Sequence, residues 1–117
     1  MDGKVVFYYQ PVRDLRSALS FYRDQLDLEE SWREGERTVI FKLPESDVQL
    51  MIDLLEEDDP FTAGPMFLIP SVDTFYEENQ GKMEFTRMPS DVPPGRWAGV
   101  KDPSGNMVYF IDFSKQG

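Results

Sequence analysis

Apolar and polar positions alternate with changing period along this chain, and each change marks an element boundary. Lys4-Val5-Val6-Phe7-Tyr8-Tyr9 is rich in β-branched and aromatic residues and predicts a strand that Pro11 ends. Leu15, Ala18, Leu19, Tyr22 and Leu26 then recur at helical spacing, forming one apolar stripe with Asp14 placed to cap it. Trp32 lies in a short strand before the turn Glu34-Gly35-Glu36, and residues 38–43 predict its hairpin partner. After the turn Pro44-Glu45-Ser46-Asp47, residues 48–54 predict a further strand. The first half therefore reads β-α-β-β-β.

The acidic run Glu56-Glu57-Asp58-Asp59 and the segment from Pro60 to Pro65 break this pattern and predict a solvated linker. Residues 66–69 resume as a strand, Asp73 is placed to cap a second helix, and Gly81 to end it. Residues 83–87 predict a short strand and residues 89–95 a Pro-rich loop. Strands at 97–101 and 107–113 flank the turn Asp102-Pro103-Ser104-Gly105-Asn106. The order is again β-α-β-β-β.

A shift of 59 residues pairs Pro11 with Pro70, Asp14 with Asp73, Lys42 with Lys101, Pro44 with Pro103, Ile52 with Ile111 and Asp53 with Asp112. Phe21-Tyr22 and Phe75-Tyr76 match at a shift of 54, which a shorter second helix and a longer Pro-rich loop reconcile. The chain reads as a duplicated module: module one at 1–58, a linker at 59–65 and module two at 66–117, within a single domain.

Composition then narrows the chemistry. With 117 residues there is chain for one compact core. The sequence has no His and no Cys, which excludes a Ser-His-Asp triad, a thiolate nucleophile and the usual zinc sites. The 22 acidic against 12 basic residues give a net charge of −10, which repels phosphate backbones and anionic lipid. No nucleic-acid or membrane partner is therefore expected. No apolar run approaches the ~20 residues of a membrane-spanning helix, and Met1-Asp2-Gly3-Lys4 does not open like a signal peptide. Without disulfides, the expected location is cytoplasmic.

In each module one face of the sheet packs on its helix, and alternation sends every second strand residue to the other face. Such a helix-free face, rich in rings and thioethers, suits a flat or apolar organic molecule. Core packing and a dimer interface are the competing readings of the same aromatics.

The strand ending in Pro11-Val12-Arg13-Asp14-Leu15, followed by Ala18 and Phe21-Tyr22-Arg23-Asp24-Gln25-Leu26, resembles the first strand and helix of the vicinal oxygen chelate superfamily. That superfamily includes glyoxalase I, bleomycin-resistance proteins and extradiol dioxygenases. Asp102-Pro103-Ser104-Gly105-Asn106 is similar to the turn before the family's last strand. The resemblance covers essentially the whole chain. It implies an α+β fold in which two tandem βαβββ modules form an open, barrel-like mixed sheet around a cleft, one helix per module outside. It also implies a homodimer.

Metal-using members place His, Glu or Gln ligands on the first and last strands of each module. Carried over by position, these places fall on Phe7, Leu50, Met66 and Tyr109, so the resemblance implies no metal and no cofactor. The reading is a protein that binds a small organic molecule without transforming it. Phe7, Tyr9, Leu50, Met66 and Tyr109 would line the cleft, with Trp32, Arg96 and Trp97 at its rim. A cationic or aromatic ligand suits the acidic chain and its rings. The alternative is a lyase- or dioxygenase-type enzyme with displaced catalytic residues. Its candidates are Asp53 and Asp112, whose alternation phase turns them away from the cleft toward solvent at the strand ends.

Overall fold

A computed structural model describes residues 3–56 and 58–116; Glu57 of the acidic run and the Met1-Asp2 start lie outside the described residues. The elements are β1 (Lys4–Val12), α1 (Leu15–Leu19) continuing into a π-helical turn (Ser20–Gln25), β2 (Glu30–Glu34), β3 (Thr38–Lys42), β4 (Gln49–Leu54), β5 (Gly64–Leu68), α2 (Val72–Asn79), β6 (Glu84–Val92), β7 (Gly95–Lys101) and β8 (Met107–Ile111). The fold class is α+β, and the order βαβββ occurs twice. Two compact units divide the chain, one of residues 7–63 and one of residues 64–117 joined by the residues before Phe7.

In the first unit the sheet order is β2-β3-β4-β1, with β1 parallel to β4 and the other pairs antiparallel. Its core joins Leu15 and Ala18 of the helix to Val39, Phe41, Leu50 and Ile52 of the sheet. Full burial of each larger aliphatic chain here contributes ~1.5–3 kcal/mol. Asp14 caps α1 as the sequence predicts, accepting from the Arg16 amide at 3.1 Å. The helical stripe holds only as far as Tyr22. Leu26 donates its amide to the Phe21 carbonyl, five residues back, and this wider turn rotates Leu26 out to 51% exposure. Leu28 packs against the core instead. The Arg13 guanidinium donates to the Glu56 and Asp59 carbonyls at 2.6 and 2.7 Å, tying the acidic run to the helix start.

In the second unit the order is β6-β7-β8-β5, with β5 parallel to β8. Ile69, Val72, Ala98, Val100 and Phe110 form the core, and Phe75 packs on Phe110 with ring centroids 4.4 Å apart. Two local expectations change. The Pro-rich segment is largely strand, since β6 runs through Pro89 to Val92; Pro89 sits where the β6–β7 register is irregular and no ladder N–H is required of it. The cap of α2 is Ser71, whose hydroxyl accepts from the Thr74 amide at 3.2 Å, while Asp73 lies one residue inside the helix and pairs with Arg96. Ser71→Ala is accordingly expected to cost about 1 kcal/mol in urea denaturation, and Asp73→Ala less, because its ion pair is exposed.

The turn that carries the family resemblance is a structural device. The Asp102 carboxylate accepts from the Ser104 and Asn106 amides at 2.9 and 2.8 Å, and Gly105 takes the φ of +90° that the turn needs. Hydrogen bonds from Asn106, first its amide and then its side chain, hold the Asp102 carboxyl below the ordinary carboxylate range.

Candidate functional site

In the first unit, β1 and β4 pair with Phe7 beside Gln49 and Tyr9 beside Met51, and β3 adds Ile40 and Thr38. These side chains share the helix-free face, because Leu50 and Ile52 between them pack on the helix. Trp32, paired with Ile40, extends the face at its edge and is 42% exposed. A polar node lies buried within it. The Tyr9 hydroxyl donates to Asp53 Oδ2, and the Thr38 hydroxyl donates to Oδ1 at 2.8 Å.

In the second unit, Met66 lies beside Tyr109, and Tyr109 lies across from Gly99. With Met107 they make a buried floor. Gly99 is required there: a Cβ would sit 2.9 Å from the Met107 methyl and 3.0–3.1 Å from the Tyr109 ring. Trp97 shares this face, half-buried, its indole N–H donating to the Ser90 hydroxyl at 3.0 Å. The Arg87 guanidinium stacks over Trp97 at 4.3 Å from the ring centroid and lies 6.0 Å from that of Tyr109.

The sequence places some of its candidates on the wrong face. Leu50 packs in the helix-covered core, and its neighbours Gln49 and Met51 take the helix-free face. Arg96 alternates with Ala98 and Val100 onto the helix side, where it pairs with Asp73 at 3.1 Å and Asp91 at 3.3 Å. The cause for Leu50 is one residue of loop. Between β3 and β4 run residues 43–48, whereas between β7 and β8 run residues 102–106. That extra residue inverts the last strand's phase relative to the 59-residue shift, and a one-residue slip moves every side chain to the opposite face. Ile52 therefore packs on its helix while Ile111 lies opposite Trp97 on the helix-free face.

The same slip separates the two matched acids, neither of which is solvated. Asp53 is on the helix-free face and 4% exposed. Asp112, 2% exposed, is consumed by the second unit's frame: it accepts from the amides of Val72 at 2.8 Å, Arg96 at 2.9 Å and Ser114 at 3.1 Å, and from the Ser114 hydroxyl at 2.7 Å. The sequence reading missed Gln49, Met51 and Met107, which correct alternation would have found. It also missed Arg87, for which alternation gives the wrong answer.

The donors present do not fit a family-type metal centre. The first- and last-strand positions offer Phe7, Gln49, Met66 and Tyr109: one amide, one thioether, one phenol and a hydrocarbon ring. Among the described residues no group of three or more His, Cys, Asp or Glu side chains could hold an ion. A separate groove of about 620 Å³ lies along α2, lined by Ile69, Pro70, Phe75, Glu78 and Met83, and contains none of the sequence candidates. No helix of the described residues is long and apolar enough to cross a membrane.

Residues 4–110 match the Glyoxalase/Bleomycin resistance protein/Dioxygenase superfamily. A comparison with curated proteins gives no match. Among solved structures, the chain is similar to one described as an NAD-dependent benzaldehyde dehydrogenase from Legionella pneumophila, with a TM-score of 0.71 at 16% identity over 92% of this chain and 97% of that one. It is also similar to a superfamily member from Vibrio splendidus 12B01, with a TM-score of 0.63 at 16% identity over 94% and 97%. Methylmalonyl-CoA epimerase from Mycobacterium tuberculosis gives a TM-score of 0.59 at 17% identity over 92% and 86%. At these identities the likeness is one of fold.

Proposed function

Because the chain belongs to the glyoxalase/bleomycin resistance protein/dioxygenase superfamily, we propose that it binds a small organic molecule on its helix-free faces, without a resident metal and without transforming the ligand. The observation that carries this reading is the donor set: the first- and last-strand positions hold Phe7, Gln49, Met66 and Tyr109. Three of these side chains are rings or a thioether, which contact an organic ligand well and a hard cation badly. Family habit supports a homodimer, and a chain without Cys suits the reducing cytoplasm.

Metal analysis of purified protein is expected to give no stoichiometric divalent ion, and chelator is expected to leave the melting temperature unchanged. Small organic molecules are expected to change the Trp32 and Trp97 emission saturably and to raise the melting temperature. One tightly held divalent ion per chain would overturn the metal-free reading. Sedimentation at micromolar concentration tests the dimer.

An enzyme with displaced catalytic groups retains one supporting observation, the Tyr9–Asp53–Thr38 node on the helix-free face. Both Asp53 oxygens are already engaged by hydroxyls within the first unit, which favours a structural role.

A further inference from the structure

We propose that Arg87 and Trp97 form a seat for an oxyanion, and that the molecule bound on this face is an organic carboxylate. The proposal rests on the small-molecule reading above and reverses the ligand charge that the acidic composition favours.

Strand β6 is built to bring Arg87 to this position. Phe85 pairs with Val100 and packs on the helix side, against Phe75 at 6.3 Å and Tyr76 at 4.9 Å between ring centroids. In an unbroken strand Arg87, two residues on, would share that side. Instead Arg87 pairs with Gly99, and Thr86 is the extra residue of a β-bulge. Thr86 and Arg87 thus both reach the helix-free face, where the Thr86 hydroxyl contacts Met107 Sδ at 3.2 Å and the guanidinium covers Trp97. Across the bulge stands Gly99, whose missing side chain leaves room for the Tyr109 ring beneath.

Stacking occupies the flat face of a guanidinium, while its N–H donors project from the edge in a fork that matches a carboxylate. The Ser90 hydroxyl fixes the indole, and the indole fixes the plane of the fork. Beneath lie Met66, Met107 and Tyr109, all buried. This dry, apolar floor strengthens a charge-assisted hydrogen bond at its border and offers an apolar ligand body a surface. A cationic ligand meets the opposite situation, since a guanidinium already holds the Trp97 ring face. The net charge of −10 acts at long range and is screened within ~8–10 Å at physiological salt, so at contact distance Arg87 sets the sign.

The test uses nitrogen-15-labelled full-length protein, reading the Trp97 indole N–H and Arg87 Nε–H signals. The probes are 2-naphthoate and hexanoate, their cationic counterparts 2-naphthylmethylammonium and hexylammonium, and inorganic phosphate. The carboxylates are expected to shift both signals saturably, with at least tenfold higher affinity than the ammonium probes or phosphate. Arg87→Met is expected to weaken carboxylate binding at least tenfold, followed there through the Trp97 signal. Arg87→Lys retains charge but not the fork, and is expected to fall between. If carboxylate and ammonium probes bind alike and Arg87→Met changes neither, the oxyanion seat is wrong while small-molecule binding stands. If phosphate binds as tightly as the carboxylates, the organic part of the assignment is wrong. If no probe shifts either signal, the seat and the small-molecule reading fail together. Arg87→Lys and Arg87→Met spectra that keep the wild-type dispersion establish that each variant is folded.

Discussion

Asp112→Ala is expected to destabilise the protein by about 3 kcal/mol, the largest effect of any single polar truncation considered, and to lower the melting temperature by roughly 10–15 °C. The carboxylate is nearly inaccessible, and three backbone amides on different segments converge on it: Val72 at the start of α2, Arg96 in β7 and Ser114 after β8. Truncation leaves these donors without their acceptor, and each such buried donor costs ~1–3 kcal/mol. Exposed Ser114 recovers a bond to water, which keeps the total near the lower end of the sum.

The same geometry sets a pH signature. Burial alone pushes the Asp112 carboxyl up, but the hydrogen bonds from Val72, Ser114 and Arg96 outweigh it and hold the group below the ordinary aspartate value of about 3.8. A carboxyl depressed on folding contributes stability that is fully present above its unfolded value and disappears as pH falls through its folded value. Asp112→Asn is therefore expected to lose most of this contribution at neutral pH, and its unfolding free energy is expected to fall less than wild type's as the solution is acidified from pH 5. Chemical denaturation at pH 7 and at pH 3 checks both. Parallel acid curves for wild type and variant would contradict the assignment.

The second large effect is at the other matched acid. Asp53→Ala is expected to cost about 2–3 kcal/mol, because it strands the buried hydroxyls of Tyr9 and Thr38. Tyr9→Phe removes one donor and leaves Asp53 its bond to Thr38, so a cost of about 1–2 kcal/mol is expected. In the double variant Tyr9→Phe with Asp53→Leu, no hydroxyl of Tyr9 is left to satisfy. The sum of the two single costs should exceed the double cost by at least ~0.5 kcal/mol. Strict additivity in urea unfolding would show that the Tyr9–Asp53 bond does not couple the two side chains. A node that is purely structural also leaves ligand affinity on the second unit unchanged within twofold. A selective loss of binding or turnover without loss of stability would instead support the displaced-catalyst reading.

Asp53 and Asp112 show why part of this protein was legible in advance and part was not. Strand content follows from β-branched and aromatic runs, and the first helix start follows from Asp14, because these are local preferences written in neighbouring residues. The duplication is equally legible, since Pro11 and Pro70, or Lys42 and Lys101, keep their spacing. Second-helix capping was misread by two residues because Ser71 and Asp73 are both good caps, and only the position at which the backbone turns helical selects between them.

What the sequence by itself determined is the order of elements, the repeated module and a side-chain inventory without imidazole or thiol. The tertiary structure decided which face each side chain takes. One added residue between β3 and β4 puts Leu50 in the core and Asp53 on the helix-free face, and one bulged residue at Thr86 carries Arg87 from the helix side onto Trp97. Strand side chains have a period of two, so a single extra residue reverses every assignment beyond it. Whether that residue is absorbed in a turn or in a bulge is settled by pairing with a distant strand, which no local pattern records.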